Sequence, residues 1–223
     1  MSFAVHPTDP QEPLAALKET VDSLWTHLAP SGKPDGLRRI LFTAPDAGQG
    51  TTTVAVCAAL GLARHLQVPV TLVEAGAPSG TMATLLGAEA EPGLSEVLAG
   101  QAERAASIRR GVDRNLLFVP AGRRAYSPGD LGRERSRELI GWLGQGRDFL
   151  IVDAPPILLH PEAHSLLWEV DQVVVVLEVG RSRKDRARAL LKVIAGAGAP
   201  VLGCVLNRYE PELPAWIGGG HLP

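Results

Sequence analysis

From Leu41 to Val56 the chain reads LFTAPDAGQGTTTVAV: an apolar strand, a loop carrying two glycines, and a helix opening on three threonines. This is the outline of a phosphate-binding loop with one part missing. In the pattern G-x-x-x-x-G-K-[ST], backbone N–H groups cradle phosphates, the lysine reaches the outer ones, and the Ser/Thr hydroxyl goes to Mg²⁺. Here the loop falls on Ala44 to Gly50, Thr51 stands where lysine belongs, and Thr52 takes the magnesium position. Any chemistry at this loop must proceed without that lysine. Taken alone, Gly48-Gln49-Gly50 would read as a plain turn.

The rest of the chain supplies the context that reverses this. Strands are expected at Arg38 to Ala44, Val68 to Glu74, Asn115 to Pro120, Asp148 to Asp153, Val170 to Leu177 and Val201 to Leu206. Between them, helices are expected at Thr51 to Leu66, Thr81 to Leu86, Leu94 to Leu98, Leu131 to Leu143 and Arg183 to Ala195, the first with an apolar face through Val54, Ala58 and Leu62. Near-continuous β-branched strands alternating with helices predict an α/β fold in three layers, a mostly parallel central sheet covered on both faces. Sites in such sheets lie beyond the carboxyl ends of the strands, where Gly48, Glu74, Asp153 and Asn207 all fall.

Before the first strand, residues 1–12 read as disordered, and Pro13 to Leu28 carries a helical apolar stripe through Leu14, Leu17, Val21, Leu24 and Leu28. The stretch from Glu210 to Pro223 has glycine and proline but no period, and reads as a flexible tail. The expected organisation is one domain over residues 13–209. A length of 223 residues suits one such core better than two.

Composition excludes several classes. A net charge of −2 and 4% aromatics give no electrostatic or stacking case for nucleic acid. The amino terminus lacks the basic start and apolar run of a signal peptide, and no stretch offers ~18 uninterrupted apolar residues. The expected location is therefore cytoplasmic. Cys57 and Cys204, in an apolar helix and an apolar strand, are expected as packed core thiols.

Six blocks occur in order: LFTAPDAGQGTTT, VTLVEAGAPSG, EPGLSEVLAG, NLLFVPAG with SPGDL, DFLIVDAPPILL followed by EA, and VLGCVLNR. Over residues 12–209 they resemble the bacterial tyrosine kinases of capsule and exopolysaccharide synthesis, a branch of the P-loop ATPases related to division-site and partitioning ATPases. The resemblance implies ATP or ADP with Mg²⁺, held by Gly48, Gln49, Gly50, Thr51, Thr52 and Thr53, with Asn207 at a position that contacts adenine. It also implies carboxylates at Glu74 and Asp153, and metal ligation by Thr52 and Asp153. Asp153 could equally be a structural carboxylate.

The departures fall on chemical positions. Thr51 supplies no cation, Gly76 stands where a second aspartate would be, and Pro78 and Ser79 replace a basic pair. The carboxyl end lacks the family's tyrosine cluster, since the tyrosines are Tyr126 and Tyr209. Ala15, Lys18 and Val21 stand in place of an assembly motif, which leaves oligomerisation open. The resemblance with these losses implies a degenerate, pseudokinase-like protein, weak or absent in nucleotide binding. Its expected role is as a regulator or scaffold in polysaccharide synthesis, reaching the inner membrane through a membrane polysaccharide co-polymerase's cytoplasmic segment or an active kinase. The alternative is a residual tyrosine kinase or ATPase using Glu74, Thr52 and Asp153, with Lys33 or Arg208 as conceivable cation donors. His160 and His164, four apart, read as surface or packing histidines without a third ligand. The basic run Arg181 to Arg188 reads as a solvated face, or else one meeting an acidic partner or a membrane-proximal surface.

Overall fold

A computed structural model of the chain describes residues 36–76, 79–124 and 129–208. The expected leading disorder, the helix over 13–28, Lys33, Pro78, Tyr126, Tyr209 and the tail over 210–223 lie outside the described residues.

Seven strands form one sheet: β1 (Arg38–Thr43), β2 (Val70–Glu74), β3 (Arg109–Arg110), β4 (Leu116–Val119), β5 (Phe149–Asp153), β6 (Gln172–Glu178) and β7 (Val201–Asn207), ordered β3-β4-β2-β5-β1-β6-β7. All neighbours run parallel except β3, which pairs antiparallel with β4. β1, β2 and β5 lie inside the sheet, and their runs RRILFT, VTLVE and FLIVD are buried almost throughout, as strands covered on both faces must be.

The two faces carry separate cores. Ile40 and Phe42 of β1 join Leu72, Phe118 and Ile151 under α1 (Thr51–Gly61) and α2 (Thr81–Leu85). On the other face Leu41, Val73, Leu150 and Val152 pack with Leu94 of α3 (Leu94–Leu98), Ile140 of α5 (Arg133–Leu143) and Leu190 and Ile194 of α6 (Lys184–Gly196). A four-residue helix, α4 (Arg104–Ser107), precedes β3. The alternation along β1 divides its side chains between the two cores.

Several elements differ from the sequence reading. α1 is buried on every side from Val54 to Gly61, so it has no single apolar face, and its last turn, Leu62–Leu66, relaxes to a π-helix. Two pieces lie outside the expected elements: β3 is two arginines paired with β4, and Pro161–Trp168 forms a 3₁₀ helix that buries Ala163, Leu166 and Leu167. Cys57 is a core thiol, pushed by burial up to about 12. Cys204 corrects the expectation: it is exposed, because β7 is an edge strand with solvent on part of its surface.

Candidate functional site: a glycine loop over two buried carboxylates

The loop leaves the carboxyl end of β1 and enters α1 at Gly50. Gly48 and Gly50 adopt φ of 77° and 82°, the left-handed region where a side chain is strained. Gly50 is the helix N-cap, with no side-chain cap and no acid in the first turn. The first-turn N–H groups are therefore open to an anion, and the helix dipole favours one there. A Cβ at Gly50 would also collide with the Asn207 amide. Asn207 Nδ2 donates to Gln49 O at 2.8 Å, and Arg208 N donates to Asn207 Oδ1 at 3.0 Å. The end of β7 is thus pinned to the loop's backbone.

Beneath the loop, Glu74 and Asp153 stand at paired register positions on β2 and β5, and both are buried. Burial raises Asp153 to about 8; the Thr52 side-chain hydrogen bond opposes this and the Glu74 charge adds to it. Burial likewise raises Glu74, against hydrogen bonds from Ala121, Ser79 and Met82. Two of these are Ala121 N to Oε2 and Ser79 Oγ to Oε1, each at 3.0 Å. Ser79, at a position where the resemblance expects a basic residue, instead orients the surviving carboxylate. Glu74, Asp153, Thr52, Gly48 and Gly50 line one cavity of about 450 Å³, a size suited to a small-molecule ligand.

Basic side chains brace the loop from outside. Arg186 places Nε and Nη2 on Asp46 Oδ1 at 3.0 and 2.8 Å, and Nη2 on Pro45 O at 3.2 Å. Arg181 Nη1 lies 3.4 Å from Gly48 O and 3.3 Å from Glu178 Oε2, while Arg208 Nη1 holds Glu178 Oε1 at 2.7 Å. Burial would raise the Glu178 carboxyl, but hydrogen bonding to Arg208 and the charges of both arginines outweigh it and hold it low. The run Arg181 to Arg188 is mostly exposed, as a solvated face should be, while Arg181 and Arg186 also tie it to the loop. Sequence reasoning missed this because Asp46 and Arg186 are 140 residues apart. Their opposite charge was the available signal, without a register to pair them.

The fold brings Gly48, Gly50, Thr51, Thr52, Thr53, Glu74 and Asp153 to one cavity, and adds His160 and Arg208. Gln49 and Asn207 do not line it. Gln49 is buried, with neither end of its amide partnered among the described residues, and Asn207 spends its amide on the loop and on Arg208. His160 bonds Glu162 Oε1 at 3.0 Å and His164 bonds Ile157 O at 3.2 Å, so the two histidines do not converge. Among the described residues no three His, Cys, Asp or Glu side chains cluster for a metal, and no helix is long and apolar enough to cross a membrane.

These residues fit a nucleotide with Mg²⁺ in part. Left-handed glycines, a helix start uncapped at Gly50 where a Cβ would collide, and two carboxylates beside a threonine hydroxyl match a phosphate chain and a hard, oxygen-seeking cation. The mismatch is at Thr51 and at Gly76. A Cβ at Gly76 would meet Pro155 at 3.8 Å, ordinary contact, so the position itself does not demand glycine.

No protein-family model matches the chain. It is similar to EpsB of Ralstonia solanacearum, 27% identical over 195 residues, covering 87% of this chain and 26% of that one. It is also similar to tyrosine-protein kinase CpsD of Streptococcus pneumoniae serotype 4, 26% identical over 194 residues, covering 86% of this chain and 85% of that one. The chain thus spans about a quarter of the longer relatives. By fold it is similar to the kinase domain of Escherichia coli tyrosine kinase ETK, with TM-score 0.72 and 23% identity over 90% of this chain and 78% of that one. It is similar too to the septum site-determining protein MinD complexed with Mg-ADP from Pyrococcus horikoshii, with TM-score 0.64 and 22% identity over 82% and 76%.

Proposed function

We propose that this chain, a relative of the bacterial tyrosine-protein kinases, holds a nucleotide without transferring its phosphoryl group. It would serve as a cytoplasmic regulator or scaffold in exopolysaccharide or capsule synthesis and export. The observation that carries this reading is the division of the cavity into kept and lost parts. The glycine loop, the Thr52–Asp153 contact and Glu74 remain, while the cation at Thr51 and the second acid at Gly76 are gone.

Phosphoryl transfer depends almost wholly on positioning and charge stabilisation. A charge-assisted contact is worth ~1.5–3 kcal/mol in binding. Losing one such donor in the transition state costs ~10²–10³ in rate. A missing acid at the metal adds to that loss. Binding survives these losses better than turnover does, because the loop's backbone supplies much of the phosphate contact in the ground state.

By analogy with the longer relatives, the partner would be the cytoplasmic segment of a membrane polysaccharide co-polymerase, or an active tyrosine kinase. Titration calorimetry with ADP and ATP, with and without Mg²⁺, tests the nucleotide half of the reading. Saturable heat supports it; no heat at millimolar nucleotide contradicts it. A residual kinase or ATPase built on Glu74, Thr52 and Asp153 is the second reading, favoured by the retained Thr52–Asp153 hydrogen bond.

A further inference from the structure

The loop has lost its lysine, yet any phosphate bound there must be neutralised above two buried acids. Among the described residues that line the cavity, the permanent cation is Arg208. Three features set it apart. Its backbone is left-handed, φ 55°, an uncommon state for a residue with a side chain. Its N–H is fixed to Asn207, which itself grips the loop at Gln49 O, so the side chain springs from a point anchored to the loop. Its side chain is 58% exposed and rests on Glu178, whose other oxygen already carries Arg181.

One carboxylate facing two guanidiniums leaves a positive charge in excess at the cavity's lip. If one arginine departs, the other keeps Glu178 paired. An exposed ion pair is a weak tether. Guanidinium–phosphate pairing, with two parallel N–H donors, is far stronger.

We propose that Arg208 is the phosphate-binding cation of this site, replacing the lysine missing at Thr51: it turns from Glu178 onto the phosphates while Arg181 stays on Glu178 and over Gly48. The inference rests on the reading of the cavity as a nucleotide site.

The test is displacement of a fluorescent ADP analogue from the whole chain by ATP and by inorganic tripolyphosphate. It compares wild type, Arg208→Ala, Arg208→Lys, and Arg208→Ala combined with Thr51→Lys. Arg208→Ala is expected to weaken ATP and tripolyphosphate alike by about 10- to 100-fold, the scale of one charge-assisted contact. Arg208→Lys should lose less, and Thr51→Lys should return part of the affinity. Unchanged melting of unliganded Arg208→Ala would separate the effect from misfolding. Loss for ATP with none for tripolyphosphate would overturn the proposal in favour of base recognition, as would an unchanged ATP affinity. Failure of tripolyphosphate to displace the analogue from wild type at millimolar concentration also counts against it. Failure of wild type to bind the analogue at all would overturn the nucleotide reading itself.

Discussion

At neutral pH Asp153 holds a proton that an exposed aspartate would have released, because its value is lifted from 3.8 to about 8. The folded chain therefore binds a proton that the unfolded chain gives up between those two values. Stability from this group is present in acid and falls as pH rises through the window. The melting temperature of unliganded Asp153→Asn should therefore exceed that of wild type at pH 8 by more than it does at pH 5. Each kcal/mol corresponds to about 2–4 °C in a chain of this size. Parallel melting curves for the two proteins across that range would contradict the assignment. Gln49 gives a second residue-scale expectation. Its amide is buried without a partner among the described residues, which costs ~1–3 kcal/mol. Gln49→Met should melt higher than wild type; a lower melting point would show that the amide has a partner. Thr51 and Gly76 were legible in the sequence, since a threonine where the pattern has lysine and a glycine where the resemblance expects an acid are differences of chemical identity. The isolation of the Gln49 amide was not legible, because it depends on which way a loop side chain turns.

Among the elements, the loop and α1 were the most legible. Glycine, then threonine, then small apolar residues allow few other local conformations. Of the elements that escaped sequence reading, β3 and α4 are only two and four residues long, and the 3₁₀ helix at Pro161–Trp168 follows a proline-rich stretch that reads as a turn. The contacts joining α6 and β7 to the loop were equally hidden, and they predict coupling. Because a Cβ at Gly50 meets the Asn207 amide, Gly50→Ala should destabilise by ~1–2 kcal/mol or more. Adding Asn207→Ala should recover part of that loss by removing the clash. Strictly additive costs in chemical denaturation would show that strand and loop do not press on each other. The Arg186–Asp46 pair is about one-third exposed on each side, so its coupling in a double-mutant cycle should be small, about 0.5–1 kcal/mol.

For the whole molecule, the layered α/β architecture followed directly from buried β-branched runs alternating with helices, and the similarity to bacterial tyrosine kinases from six ordered blocks. The sequence could not convey which side chains meet at the site within that fold. The sheet sets Glu74 beside Asp153 with Ser79 on the former, and arginines from the turn after β6 and from α6 reach the loop. If Thr51 and Gly76 are what withholds phosphoryl transfer, as proposed, a lysine and an acid placed there should supply it. Thr51→Lys with Gly76→Asp, where a Cβ is tolerated at Gly76, is expected to gain ATP-dependent tyrosine phosphorylation of a tyrosine-rich test peptide. The deciding assay is phosphotyrosine formation by the wild-type chain with ATP and Mg²⁺, set beside Asp153→Ala. Equal background in the two proteins is predicted; phosphotyrosine that forms with wild type and vanishes with Asp153→Ala would contradict a site that holds nucleotide without transfer.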